Sequence, residues 1–151
     1  MSTPSLFVPA DLEALLARVR GLSPSAKAQW GKMDVAQMMA HVGVSLRVAL
    51  GDAKVKRALI GYLFGGLAKS GALGPKPFGK GLPTDKSYVI REARDLAKEK
   101  AELVALLERT ARGGPSAFTT NPHPFFGPLA PAEWDVLMWK HVDHHLRQFG
   151  A

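Results

Sequence analysis

The chain has no cysteine among its 151 residues. That absence excludes disulfides, thiolate metal sites and cysteine nucleophiles, and leaves histidine and carboxylate as the side chains able to hold a metal. It fits a reducing compartment, and a cytoplasmic protein is the default expectation. Long apolar runs are also lacking. The most apolar stretch, Ala58 to Ala68, is interrupted by Gly61, Gly65 and Gly66 and is too short to cross a bilayer. Met1 to Pro9 carries neither the basic start nor the apolar run of a secretory signal. No convincing strand pairs, internal repeats or low-complexity segments are present, with a short hairpin in the loops left open. No membrane partner is therefore expected.

Charge is present but uneven. The net charge is +7, and residues 52 to 100 hold eleven Lys or Arg against five Asp or Glu. Such a surplus can draw nucleic acid, an anionic membrane or an anionic small molecule. Ordinary solubility charge on exposed faces explains it more simply. Nucleic acid is disfavoured as a partner, because no aromatic-and-basic recognition module accompanies the surplus.

Helical periodicity dominates. Leu12, Leu15, Leu16 and Val19 predict a first helix over about Ala10 to Val19, ended by Gly21 and Ser23-Pro24. Asp34 with Gln37 reads as a capping box opening a second helix that runs to about Leu50, before Gly51. Residues 53 to 73 predict a short or broken helix weakened by glycine. After the loop Gly74 to Pro83, a long amphipathic helix is predicted from about Tyr88 to Arg112, stopped by Gly113-Gly114-Pro115. Pro131 suits the first turn of a last helix reaching about Phe149. Residues 1–151 are thus expected to form one all-α domain, a four-helix bundle with an extra short helix and long loops.

Three histidines stand out. His141 and His145 lie at i and i+4, which places them on one helix face. Turning about 100° per residue, Trp134, Leu137, Met138, His145 and Phe149 all fall within roughly 80° of His141, so both imidazoles sit inside the apolar stripe. His144 borders that stripe; Glu133, Lys140 and Arg147 form a charged flank, Asp143 points away, and Trp139 lies opposite, where an oligomer contact would be. On the second helix, His41 shares a mixed face with Asp34, Met38, Ser45 and Val48. Burying an imidazole costs on the order of 1–3 kcal/mol for each unsatisfied nitrogen, so three inward histidines need a common explanation. A metal held by three nitrogens with an open position is one. The other is a core His41 hydrogen-bonded to backbone or to Gln37, with the C-terminal pair lining a wet end of the bundle. The HxxxH pair lacks the adjacent glutamate of a HExxH protease helix.

The stretch from Trp30 to His41, and His141-x-x-His144-His145-Leu146-Arg147-Gln148 at the other end, resemble the DinB/YfiT-like superfamily of four-helix bundles. The segment Asn121 to Leu129, running into Trp134, resembles a branch of it described only as a domain of unknown function. The resemblance spans nearly the whole chain, with its specificity in two short motifs. It implies His41, His141 and His145 as ligands of a divalent metal and leaves His144 outside the set. It also implies a chemical class: a thiol-dependent transferase, or a hydrolase, in which the metal activates a low-molecular-weight thiol or water for attack on a small-molecule substrate. Zinc or nickel is the first expectation, with iron or copper as alternatives. His144 and His123 are candidate proton-transfer groups, though a surface or turn role suits each better. A non-catalytic binding or structural bundle is the alternative reading, and a homodimer is left open.

Other signals are weaker. Gly74-x-x-x-x-Gly79-Lys80 mimics a phosphate-binding loop, but Gly81 stands where Ser or Thr is required. Phe125-Phe126 could wall a substrate entrance, although anchoring the loop is the simpler role. Arg47, Arg91 and Arg94 are candidates for holding an anionic cosubstrate.

Overall fold

A computed structural model describes residues 3–151, and these are all-helical: five α-helices, two 3-10 turns and no strand. The helices are α1 (Pro9–Gly21), α2 (Val35–Ala49), α3 (Leu59–Leu73), α4 (Leu96–Gly113) and α5 (Pro131–Gln148). Short 3-10 turns cover Lys86–Tyr88 and Gly114–Ala117. The only extended pairing among the described residues is one bridge between His123 and Gly127.

The ends of α2 follow from local chemistry. The Asp34 carboxylate accepts from the Gln37 amide at 2.8 Å, and the Gln37 side-chain oxygen accepts from the Asp34 amide at 3.0 Å. A cap of this kind contributes about 1 kcal/mol. At the other end Gly51 takes φ +78°, a left-handed conformation that costs glycine little. Between them α2 buries nearly every side chain and packs on both α4 and α5. α1 also packs on α4 and α5, through Leu15, Leu16 and Val19. One continuous apolar cluster joins these four helices, with Met38, Met39, Leu46, Leu103, Leu107, Trp134 and Leu146 at its centre.

α4 begins eight residues later than the amphipathic pattern suggests. The Asp95 side chain accepts from the Lys98 amide at 2.8 Å and caps the helix there. Residues upstream take another course: Asp85 caps the 3-10 turn that ends at buried Tyr88. The third predicted helix is likewise shorter, because 53–58 lie outside it and only 59–73 are helical.

Two buried charges in α5 were not foreseen. Lys140, assigned to an exposed flank, is buried because the C-terminus of α3 covers it. Its ammonium donates to the carbonyls of Ala72 and Gly74, the latter at 2.7 Å. A cation is favourable there, since the last helical carbonyls lack partners. Asp135 accepts from the Leu6 amide at 2.8 Å and from the Ser5 hydroxyl at 2.6 Å, tying the N-terminal segment to α5. Trp139 is partly buried against the core.

Candidate metal centre

α2 and α5 bring His41, His141 and His145 together, with one ligand nitrogen from each lying within 4.8 Å of the others. Asp34 and Pro131 mark where α2 and α5 begin, and the packed faces of the two helices carry the three rings toward one another. The nitrogens that meet are all Nε2: His141 lies 3.2 Å from His41 and 3.1 Å from His145.

The opposite ring nitrogens fix the tautomers of two of them. Nδ1 of His41 is 2.8 Å from the Tyr88 carbonyl oxygen, which can only accept, so the proton sits on Nδ1. Nδ1 of His145 is 2.8 Å from Oε1 of Gln148, whose amide nitrogen donates to the Trp30 carbonyl at 2.7 Å. Gln148 therefore presents its oxygen to His145. Both histidines consequently direct an Nε2 lone pair inward. His141 has at most one proton to offer two lone pairs, so three neutral imidazoles cannot satisfy one another. A cation at the convergence point satisfies all three.

Distances agree with that. Nitrogens about 2.0–2.1 Å from a tetrahedral ion stand roughly 3.3–3.4 Å apart, close to the 3.2 and 3.1 Å that separate His141 from His41 and His145. The carbonyl and the amide behind the rings are the outer partners that orient metal-binding imidazoles. His41 and His145 are buried while His141 as a residue keeps partial exposure. Gln37 does not touch His41; its amide nitrogen donates to the Arg91 and Glu92 carbonyls. The backbone partner expected for a core histidine is present at the Tyr88 carbonyl.

Electrostatics keep these rings neutral. Burial pushes His41 below its ordinary value, against an opposing effect of the Tyr88 carbonyl. Burial lowers His141 strongly, and the neighbouring His145, His41, His144 and His123 add to it. His145 falls to about 3, chiefly through burial and then the charge of His41. Neutral imidazole is the form that binds a metal.

The two proton-transfer candidates fare differently. His123 lies in the loop before α5, where its Nδ1 accepts from the amides of Phe125 at 3.0 Å and Phe126 at 3.1 Å. Its ring packs on Phe126 and Trp134, and burial holds it at about 4. That is a turn-closing role. His144 is half-buried beside His145, between the rings of Trp30 and Phe78, with centroids 5.6 Å and 5.9 Å away. Burial lowers it first and the charge of Arg147 second. It stands outside the ligand cluster and next to it.

Of the arginine candidates, Arg47 pairs with Glu102 and Arg94 with Glu99 and Glu92, while Arg91 is exposed and in no ion pair among the described residues. Gly74 to Gly81 is a loop following α3 with no strand before it. Phe125 and Phe126 anchor their loop: the Phe125 backbone lies against Gly61 and Gly65 of α3.

These shifts carry a pH dependence. At pH 7 the histidines are neutral in the folded chain and mostly neutral in the unfolded one. Below about 6.5 the unfolded chain binds protons that the folded chain refuses until His123 reaches about 4 and His145 about 3. Metal-free protein should therefore lose stability as pH falls through that window, by up to about 1.4 kcal/mol per pH unit for each histidine. Urea unfolding between pH 7 and 4 checks it; a stability constant over that range would contradict the neutral, buried assignment.

An all-helical protein with three histidines converging between two helices is the class defined by fold and site. Within it, the chain belongs to the family described as "Protein of unknown function (DUF1569)", whose model matches residues 3–151. No curated protein and no solved structure matches the chain.

Proposed function

We propose that this protein is a metal-dependent enzyme of the DinB/YfiT-like type, a four-helix bundle built from α1, α2, α4 and α5 in one domain. His41, His141 and His145 would hold a divalent ion, zinc or nickel ahead of iron or copper. The observation that carries this reading is the convergence of three Nε2 atoms with two Nδ1 protons turned outward onto Tyr88 and Gln148. A bound divalent ion supplies Lewis acidity, lowering the pKa of water or of a low-molecular-weight thiol that reaches its open position. The reaction is then thiol-dependent transfer or hydrolysis of a small molecule.

The chain's own residues prepare the site. Tyr88 and Gln148 orient the ligand rings. Trp30 and Phe78 flank His144. His144, neutral at pH 7, would be the group that takes a proton.

A second reading, a non-catalytic binding or structural bundle, is favoured by one observation. His123, the other candidate base, already has its Nδ1 occupied by two backbone amides. Turnover separates the two readings. Protein purified without an affinity tag, stripped of metal and reloaded with one equivalent of zinc or nickel, is assayed for hydrolysis and for thiol transfer. The enzyme reading expects turnover only in the loaded form, reduced in His144→Ala. Full metal occupancy with no turnover in either assay would favour the non-catalytic reading.

A further inference from the structure

The strongest feature outside the histidine cluster is the outer face of α3. Leu59, Leu63 and Leu67 are 84%, 76% and 80% exposed, and Ile60, Tyr62 and Phe64 are 57%, 64% and 54% exposed. Six of the nine large hydrophobic residues exposed among the described residues lie on this one helix, and exposed apolar clusters of this kind mark interaction sites. The inner face of the helix is already used. A Cβ on Gly61 would come to 2.6 Å from the Phe125 carbonyl oxygen, and one on Gly65 closer still, so these glycines set α3 directly on that loop. The Ala58 amide donates to the Pro124 carbonyl, Lys69 pairs with Glu133 at 2.8 Å, and Lys140 holds the C-terminal carbonyls. With α3 fixed in this way, its outer side chains have no site on this chain.

Charge indicates what covers them. Residues 53 to 84 include Lys54, Lys56, Arg57, Lys69, Lys76 and Lys80 and not one carboxylate. Lys54, Lys56, Lys76 and Lys80 are exposed and, among the described residues, in no ion pair. Arg57 lies over the Tyr62 ring at 4.0 Å, joining the cations to the apolar face. A second copy docked through α3 would set two carboxylate-free segments side by side with no counter-charge. An anionic lipid surface offers both the apolar interior and the counter-charge. No helix of the described residues is long and apolar enough to cross a membrane, so the contact lies in the plane of the surface.

We propose that α3 docks this protein on a membrane surface rich in anionic lipid. Leu59, Leu63, Leu67 and Phe64 enter the headgroup–acyl boundary, and Lys54, Lys56, Lys76 and Lys80 meet the lipid phosphates. This departs from the sequence expectation of no membrane partner, and it is independent of the metal reading.

Sedimentation of the untagged full chain with vesicles tests it. The chain should sediment with phosphatidylcholine vesicles containing phosphatidylglycerol, much less with phosphatidylcholine alone, and less as salt rises. L63S/L67S should weaken this at least tenfold, and K54Q/K56Q roughly fivefold per lysine. Both variants should keep the wild-type thermal midpoint, since the outer face packs on nothing. Failure to sediment with anionic vesicles overturns the proposal. So does binding unchanged in L63S/L67S, equal binding to neutral and anionic vesicles, or a dimer in analytical ultracentrifugation that L63S/L67S dissolves while vesicle binding is absent.

Discussion

His141→Ala is expected to abolish high-affinity metal binding while leaving the helical content of the protein intact. His141 is the common neighbour: its Nε2 is the atom that both His41 and His145 approach, at 3.2 and 3.1 Å. Removing it leaves two nitrogens on different helices. The loss in affinity should exceed the roughly 10- to 100-fold that follows removal of an outer hydrogen-bond partner. Gln148→Leu supplies that comparison in the same protein, because it removes the acceptor on His145 Nδ1 and keeps all three ligands. Competition with a chromophoric chelator reads both variants. Equal affinity in His141→Ala and wild type would show that the cluster is not the site. In metal-free protein His141→Ala should cost little stability, since it removes a partly buried imidazole whose polar nitrogen lacks a full complement of partners.

Trp134→Ala is expected to produce the largest loss of stability. Trp134 is 1% exposed and stacks on Phe118, with His123 against its ring. Truncating a buried tryptophan costs about 3–5 kcal/mol, because the cavity cannot close fully. In a chain of this length that lowers the thermal midpoint by on the order of 10 °C. Trp134→Phe should cost much less. The indole Nε1 is buried without a hydrogen-bond partner, so its removal relieves an unpaired donor as well as losing packing. Calorimetry of the three proteins checks the order; equal losses in the two variants would mean that the cavity is not what governs stability here. The loop from His123 to Gly127 rests on this ring, so Trp134→Ala should also loosen the seat of α3 on Phe125.

Legibility in the sequence follows the range of the interactions. The capping box at Asp34 and the start of α5 at Pro131 are local, and each element begins where its residues predict. The facing of His141 and His145 is also local, one helical turn within an apolar stripe. Gln148 was within reach of the same reasoning, three residues from His145 on the same face. Tyr88 was not. It acts through a backbone carbonyl 47 residues from His41, and a carbonyl leaves no mark in the sequence. The long-helix pattern ran through Asp95 because amphipathic spacing continues upstream of it, whereas the Asp95 carboxylate ends the helix by taking the Lys98 amide. Lys140 and Asp135 look like solvated charges until the partners arrive from α3 and from the N-terminal segment. The exposed face of α3 was hidden for the opposite reason. An apolar helix with glycines reads as core, and only the packed structure shows that its glycine side is the one that docks.

The central claim is that three imidazole Nε2 atoms from α2 and α5 bind one divalent ion. X-ray absorption at the metal edge, on tag-free protein loaded with one equivalent of zinc, tests it most directly. The account predicts a first shell containing three imidazole nitrogens at about 2.0–2.1 Å, with outer-ring scattering from three histidines and the remaining position filled by a light atom. A shell of oxygen alone, or one with fewer than two imidazoles, would contradict it.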